Sequence, residues 1–212
     1  SVENFDRVID CKTKAIIPVH LYGNSCQMDE IMEWARSKKI KVIEDAAQGL
    51  GVFHKQKHVG TFGDAGSFSF YGNKIITTAE GGMITTNDKE LYDKCYELKN
   101  FGQHRKNSTF VHDQIGYNFC FSDLQAAIGI SQMNKLERIL KKKKQIFQYY
   151  KNGLQSLIDR EYIKEIPVSK HTEPNRWFSS FIFKNKTNLM NYLKDNKIQT
   201  REFFLPLYHQ PC

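Results

Sequence analysis

What most constrains this chain is the order of three segments near its start. Ala15-Ile16-Ile17-Pro18-Val19-His20 reads as an apolar strand, and Met28-Asp29-Glu30-Ile31-Met32-Glu33-Trp34-Ala35-Arg36 carries apolar residues at helical spacing. Lys41-Val42-Ile43-Glu44-Asp45 then reads as a second strand. A strand, a helix and a strand at this spacing form a βαβ unit, so the two strands are expected to run parallel with both faces covered. Two more short strands are expected at Ala65-Gly66-Ser67-Phe68-Ser69-Phe70 and Met83-Ile84-Thr85-Thr86. Another helix opens at Asp88-Lys89-Glu90-Leu91-Tyr92 behind an Asn87 or Asp88 cap. The expected class is α/β with a mostly parallel sheet.

Size and composition narrow the function. The 212 residues, 40% of them hydrophobic, suffice for one large domain or one and a half smaller ones with a real core. Cys11, Cys26, Cys95, Cys120 and Cys212 are scattered, odd in number and never paired as CxxC. That argues against a disulfide framework or a zinc site and for a reducing, cytoplasmic setting. No apolar run approaches the ~18 residues of a membrane span, and the first residues lack a signal-peptide core, so a soluble protein with no membrane partner is expected.

The formal charge of +8 raises a nucleic-acid module as an alternative. Much of that charge lies in Lys141-Lys142-Lys143-Lys144 and in Lys184, Lys186, Lys194 and Lys197. The tetrad is set within Met133, Leu136, Ile139, Leu140 and Phe147, whose spacing is helical, so it reads as the wet face of an amphipathic helix. No basic run interleaved with aromatics accompanies it, and no nucleic-acid partner is expected. The chain starts at Ser1 and stops at Cys212 without a closing helix, which makes it read as part of something longer, truncated at both ends. Its parts are expected to be a large domain over 1–130, a connecting helix over 131–155 and a partial smaller α/β domain over 156–212.

In open α/β sheets, ligands sit beyond the carboxyl ends of the strands. That rule selects His20 and Tyr22 after the first strand, Asp45 and Gln48 after the second, and Ser69 with Lys74 after the third. A carboxylate, an amide, a hydroxyl and an amine thereby share one end of the sheet. Pyridoxal phosphate chemistry asks for this set: a lysine to hold the aldehyde, an acid opposite the ring nitrogen, and donors for the phosphate. Each residue also has a plain structural reading, Asp45 as a helix cap, Gln48 as a surface amide and Ser69 as a satisfied strand hydroxyl. A P-loop is excluded because Asn73 separates Gly72 from Lys74. The run Gly60-Thr61-Phe62-Gly63-Asp64-Ala65-Gly66 has the wrong spacing for a dinucleotide fingerprint and precedes a strand.

Several runs together resemble the DegT/DnrJ/EryC1/StrS family of sugar aminotransferases. They are Ile17-Pro18-Val19-His20-Leu21-Tyr22-Gly23, Val42-Ile43-Glu44-Asp45-Ala46-Ala47-Gln48, and the long stretch from Val59 through Phe68-Ser69-Phe70-Tyr71-Gly72-Asn73-Lys74. Glu80-Gly81-Gly82-Met83, Gly116-Tyr117-Asn118-Phe119 and Leu124-Gln125-Ala126-Ala127-Ile128-Gly129 follow in the same order. The resemblance covers nearly the whole chain. It departs at Ala79, where the family usually has glycine, and at Cys120, where many relatives place arginine.

The resemblance implies a fold type I pyridoxal phosphate enzyme, a homodimer with shared active sites, that moves an amino group from L-glutamate to a nucleotide-activated keto sugar. Lys74 would be the Schiff-base lysine, Asp45 the partner of the ring nitrogen, Gln48 a contact to the ring hydroxyl and Ser69 a phosphate ligand. Asn118 matches the residue that reaches the cofactor phosphate of the neighbouring subunit. The Gly72-Asn73 turn would aim Lys74 across the sheet edge, with glycine supplying backbone freedom. Trp177-Phe178-Ser179-Ser180-Phe181-Ile182-Phe183 and the residues after it resemble the small domain of enzymes that aminate 4-keto sugars, with His20, Tyr22, Tyr208 and His209 as candidate sugar contacts. The expected reaction is amination at C4 of a 4-keto-6-deoxyhexose linked to a nucleotide. Amination at C3 and an inactive truncated relative are the alternatives.

Overall fold

The structure is a computed structural model that describes residues 2–104, 111–112 and 114–211. It divides into two compact units, Ser1–Tyr150 with Pro167–Ser179, and Lys151–Ile166 with Ser180–Cys212. The first unit thus takes in 131–150 and 167–179, stretches expected from the sequence to belong to the connecting helix and the smaller domain.

The first unit is built on a four-stranded sheet. Strand β1 (Ala15–Ile16) pairs in parallel with β2 (Lys41–Asp45), with helix α1 (Met28–Lys38) between them. The βαβ reading therefore holds, although β1 is shorter than expected. Pro18 has no N–H to donate to the ladder, and pairing resumes only as a bridge from Val19 to Asp45. On the other side of β2 lies β5 (Ala65–Ser69), also parallel, and β6 (Gly82–Thr85) closes the sheet antiparallel to β5.

Two hydrophobic clusters hold this sheet. In one, Met28, Ile31, Trp34 and Ala35 of α1 pack with Ile40 and Val42. Val52, Val59, Phe68, Phe70, Ile75, Ile76 and Trp177 gather in the other. Among the described residues this sheet is packed on one face, where both faces were expected to be covered. Along β2, Val42 and Glu44 are buried whereas Lys41 and Ile43 are exposed, the alternation of a sheet with one face packed.

A smaller three-stranded sheet was not legible in the sequence. Strands β3 (Phe53–His54) and β4 (Lys57–His58) form a hairpin whose turn residues Lys55 and Gln56 both take positive φ, as a primed turn requires. Strand β8 (Thr172–Glu173), from the segment that returns to the first unit, pairs antiparallel with β3.

Helix α2 (Lys89–Lys99) starts where expected, with the Asp88 carboxylate accepting from the amides of Glu90 and Leu91. Helix α3 (Asp123–Met133) opens on a capping box made by Ser122 and Gln125. Helix α4 (Leu136–Asp159) packs Leu136, Ile139 and Leu140 against the core. Lys141, Lys142 and Lys144 are exposed as expected, but Lys143 turns inward and donates to the Trp177 carbonyl at 3.0 Å.

The second unit contains the antiparallel pair β7 (Ile163–Glu165) and β9 (Phe181–Phe183), followed by α5 (Lys186–Asp195). Lys151 and Glu165 form an ion pair at 2.8 Å within it. Among the described residues, no helix is long and apolar enough to cross a membrane and no cluster suited to a metal ion occurs.

Candidate active site

The carboxyl ends of the strands carry a connected set of loops. After β1 comes the tight turn Leu21–Gly23, in which Tyr22 takes left-handed φ of 54° and Gly23 φ of 75°. After β2 comes Asp45–Leu50, and after β5 the stretch from Tyr71 to Ala79. The Tyr22 amide donates to the Gln48 side-chain oxygen, joining the first two loops. Within the third, the Lys74 amide donates to the Tyr71 carbonyl at 3.0 Å and the Thr78 amide to the Phe70 carbonyl at 2.9 Å.

Glu44 and Asp45 are neighbours on β2 but serve different surroundings. The Glu44 side chain is fully buried and accepts from four donors. His20 Nε2 lies 3.0 Å and the Gly60 amide 2.7 Å from Oε2, while the Phe62 and Gly63 amides lie 2.6 Å and 2.8 Å from Oε1. Burial raises the Glu44 pKa, but the bonds from His20, Gly63 and Gly60 outweigh it and hold the carboxyl below its ordinary value. Asp45 is only partly buried. Its Oδ1 accepts from the Ala47 amide at 3.0 Å, and among the described residues no hydrogen bond engages Oδ2.

Lys74 is half-buried, with its Nζ 4.5 Å from the centre of the Trp177 ring. Burial lowers its pKa, and the charge of Asp45 partly restores it. The two residues singled out in the sequence as amine and acid therefore act on each other electrostatically. An amine that gives up its proton more readily than usual is a better nucleophile toward a carbonyl at neutral pH. Ser69 closes β5 with its hydroxyl accepting the Tyr71 amide at 3.3 Å, so its proton is available to donate.

Not every candidate joins this group. His20 is 0% exposed, and both its ring nitrogens are engaged, Nε2 with Glu44 and Nδ1 with the Cys26 amide at 3.2 Å. It braces the interior, because the buried carboxylate of Glu44 draws the ring inward. Tyr22 stays with the loops, its ring 6.4 Å from that of Trp177. Asn118 is exposed and sits on a stretch whose backbone pairs with the end of α2, through the Asn100–Asn118 bridge and the bond from the Phe119 amide to the Lys99 carbonyl. Tyr208 and His209 belong to the second unit, exposed, with ring centres 4.5 Å apart.

The Gly72-Asn73 turn also differs from expectation. Gly72 does not take positive φ, and a Cβ there would meet only the Ala79 carbonyl at 3.9 Å. The left-handed residue of this loop is Ala79, with φ of 69°. Three residues that order the site were missed. Glu44 reads as an ordinary strand position, Asn175 follows a proline with no motif around it, and Trp177 only heads an aromatic run. The one available signal was the polar Glu44 on the same face as Val42.

Comparison with known proteins places the chain in a family. The sequence profile of the DegT/DnrJ/EryC1/StrS aminotransferase family matches residues 1–212. The chain is 42% identical to the GDP-perosamine synthase of Escherichia coli O157:H7, covering 100% of this chain and 57% of that protein. It is 36% identical to the GDP-perosamine synthase of Vibrio cholerae, covering 100% of this chain and 58% of that protein. A solved Helicobacter pylori aminotransferase, involved in the biosynthesis of pseudoaminic acid, superposes with a TM-score of 0.91 at 26% identity, over 100% of this chain and 58% of that one. This chain spans somewhat more than half the length of the curated relatives it matches. With its motifs in order, its profile matched from end to end, and its parallel strands ending at Asp45 and ahead of the loop that carries Lys74, the chain belongs to the DegT/DnrJ/EryC1/StrS aminotransferase family.

Proposed function

We propose that this chain is the lysine-bearing part of a cytoplasmic, homodimeric pyridoxal phosphate enzyme. In this reading it transfers an amino group from L-glutamate to C4 of a nucleotide-linked 4-keto-6-deoxy sugar, giving an amino sugar for surface glycans. The observation that carries the reading is the Lys74 amine, lowered in proton affinity by burial and acted on by the Asp45 carboxylate, at the carboxyl ends of parallel strands. The likeness to two GDP-perosamine synthases supports the sugar class and favours GDP as the nucleotide.

The residues present fit the cofactor. Bound pyridoxal phosphate supplies an electron sink for the charge left when a Cα proton departs. Lys74 would supply the nucleophilic nitrogen that holds the cofactor aldehyde and would serve as the base that moves a proton on and off the substrate carbon. Asp45, through the oxygen that Ala47 leaves open, would keep a proton on the ring nitrogen. Ser69 would donate its hydroxyl proton to the phosphate, and Gln48, whose oxygen is held by the Tyr22 amide, would offer its –NH2 to the ring hydroxyl. Asn118, exposed on its own stretch, is offered to the cofactor of the partner subunit.

The test uses the full-length protein loaded with pyridoxal phosphate. A visible absorbance band is expected, bleached by glutamate, with borohydride reduction fixing the cofactor mass on the Lys74 peptide. Lys74→Ala removes both signals. A wild-type protein without the band overturns the enzyme reading. Nitrogen-labelled glutamate offered with GDP-, UDP- and dTDP-linked keto sugars then locates the product nitrogen; label at C3 in place of C4 overturns the assigned position.

A further inference from the structure

The segment that returns to the first unit ties the site loops together. Asn175 is 3% exposed, and its side-chain amide and backbone N–H are all engaged. Its Nδ2 donates to the carbonyls of Gln48 at 2.8 Å and Leu50 at 2.9 Å, its amide donates to the Gly23 carbonyl at 3.2 Å, and its Oδ1 accepts from the Trp177 amide at 2.9 Å. Gly23 is needed for this approach, since a Cβ there would stand 1.8 Å from Asn175 Oδ1 at a φ that side chains disfavour.

Trp177, so fixed, is 2% exposed and reaches the third loop twice. Its indole N–H donates to the Asn73 carbonyl at 2.7 Å, and its ring face lies 4.5 Å from the Lys74 Nζ. The ring gives the amine a partly negative surface. Asp45 is the other charge that acts on this amine. From behind, Lys143 of α4 holds the Trp177 carbonyl at 3.0 Å.

We infer that Asn175 and Trp177 form a clamp that positions Lys74, with the indole N–H fixing the Asn73 carbonyl and the ring face seating the amine. The inference rests on the reading of Lys74 as the cofactor-bearing residue. Trp177 is a positioning residue and acts through Lys74.

Two variants separate its two contacts. Trp177→Phe keeps an aromatic face and loses the indole N–H, whereas Trp177→Leu keeps apolar cover over the amine and loses both. In the cofactor-free protein, competitive acetylation read at the Lys74 peptide across pH gives the amine's titration midpoint. Trp177→Leu is expected to lower it by about half a pH unit, and Trp177→Phe to follow the wild type. Hydrogen exchange of the Lys74 and Thr78 amides is expected to quicken about three- to tenfold in Trp177→Phe, because one hydrogen bond anchoring the loop is gone. A titration midpoint unmoved in Trp177→Leu, or exchange unmoved in Trp177→Phe, overturns the clamp. Should Trp177→Leu fail to fold, the exchange result in Trp177→Phe decides. If the wild type captures no pyridoxal phosphate, the enzyme reading falls, while the titration and exchange results still judge the contacts.

Discussion

The interior around Glu44 and the open end of the sheet around Asp45 and Lys74 lie one residue apart on β2, yet they treat charge in opposite ways. Glu44 is shut away from water and receives four hydrogen bonds, so its charge is spent on holding His20 and the loop from Gly60 to Gly63 in place. Among the described residues Asp45 keeps an oxygen open and acts by its charge on the Lys74 amine, to which no carboxylate is bonded. The pleat makes this possible, because successive side chains on a strand point to opposite faces. The inner acid builds the end of the sheet, and the outer one keeps an oxygen without a hydrogen bond among the described residues.

Removing the inner acid is expected to have the largest effect. Glu44→Ala strands His20 Nε2 and three backbone amides in the interior, and denaturant unfolding is expected to show a loss of about 3–5 kcal/mol. Its pH dependence follows from the lowered pKa. Below the ordinary value of 4.5 the unfolded chain takes up the proton first, so the stabilisation is full above that pH and is lost as pH falls through the lower folded value. Glu44→Gln is expected to flatten this acid limb, and an unchanged limb would erase the contrast between the two acids.

Asp45→Asn comes next. Asparagine still accepts the Ala47 amide, so folding is expected to hold, while transamination in the full-length enzyme is expected to fall about a hundred- to a thousandfold with the charge gone. Steady-state rates with glutamate check this, and a variant as active as the wild type would assign Asp45 to structure alone. The smallest change sharpens the picture of the open loop. Ala79 sits at φ of 69°, where a side chain costs energy, so Ala79→Gly is expected to raise stability by about 0.5–1 kcal/mol, read as a rise in Tm.

The elements with clear periodicity or chemistry were legible in the sequence: α1, β2, β5, the Asp88 cap, and the acid and amine at the strand ends. What was hidden depends on distance along the chain. Nothing local in Glu-Pro-Asn-Arg-Trp tells that Asn175 bonds to carbonyls more than a hundred residues away, or that Trp177 covers Lys74. The burial of His20 was hidden too, because a strand-end histidine looks available until the buried acid bonded to it is seen. The hairpin of β3 and β4 was missed because Lys55-Gln56 lacks the glycine or asparagine that usually marks such turns.

Burial pushes the Cys26 thiol up to about 11, with the Glu44 charge adding to it, and its Sγ donates to the Val19 carbonyl at 3.2 Å. At neutral pH it is therefore a poor target for thiol reagents, whereas Cys11 and Cys120 are exposed. Cys120 stands two residues from Asn118, so a fluorophore or spin probe attached there reports on the surroundings of that exposed stretch.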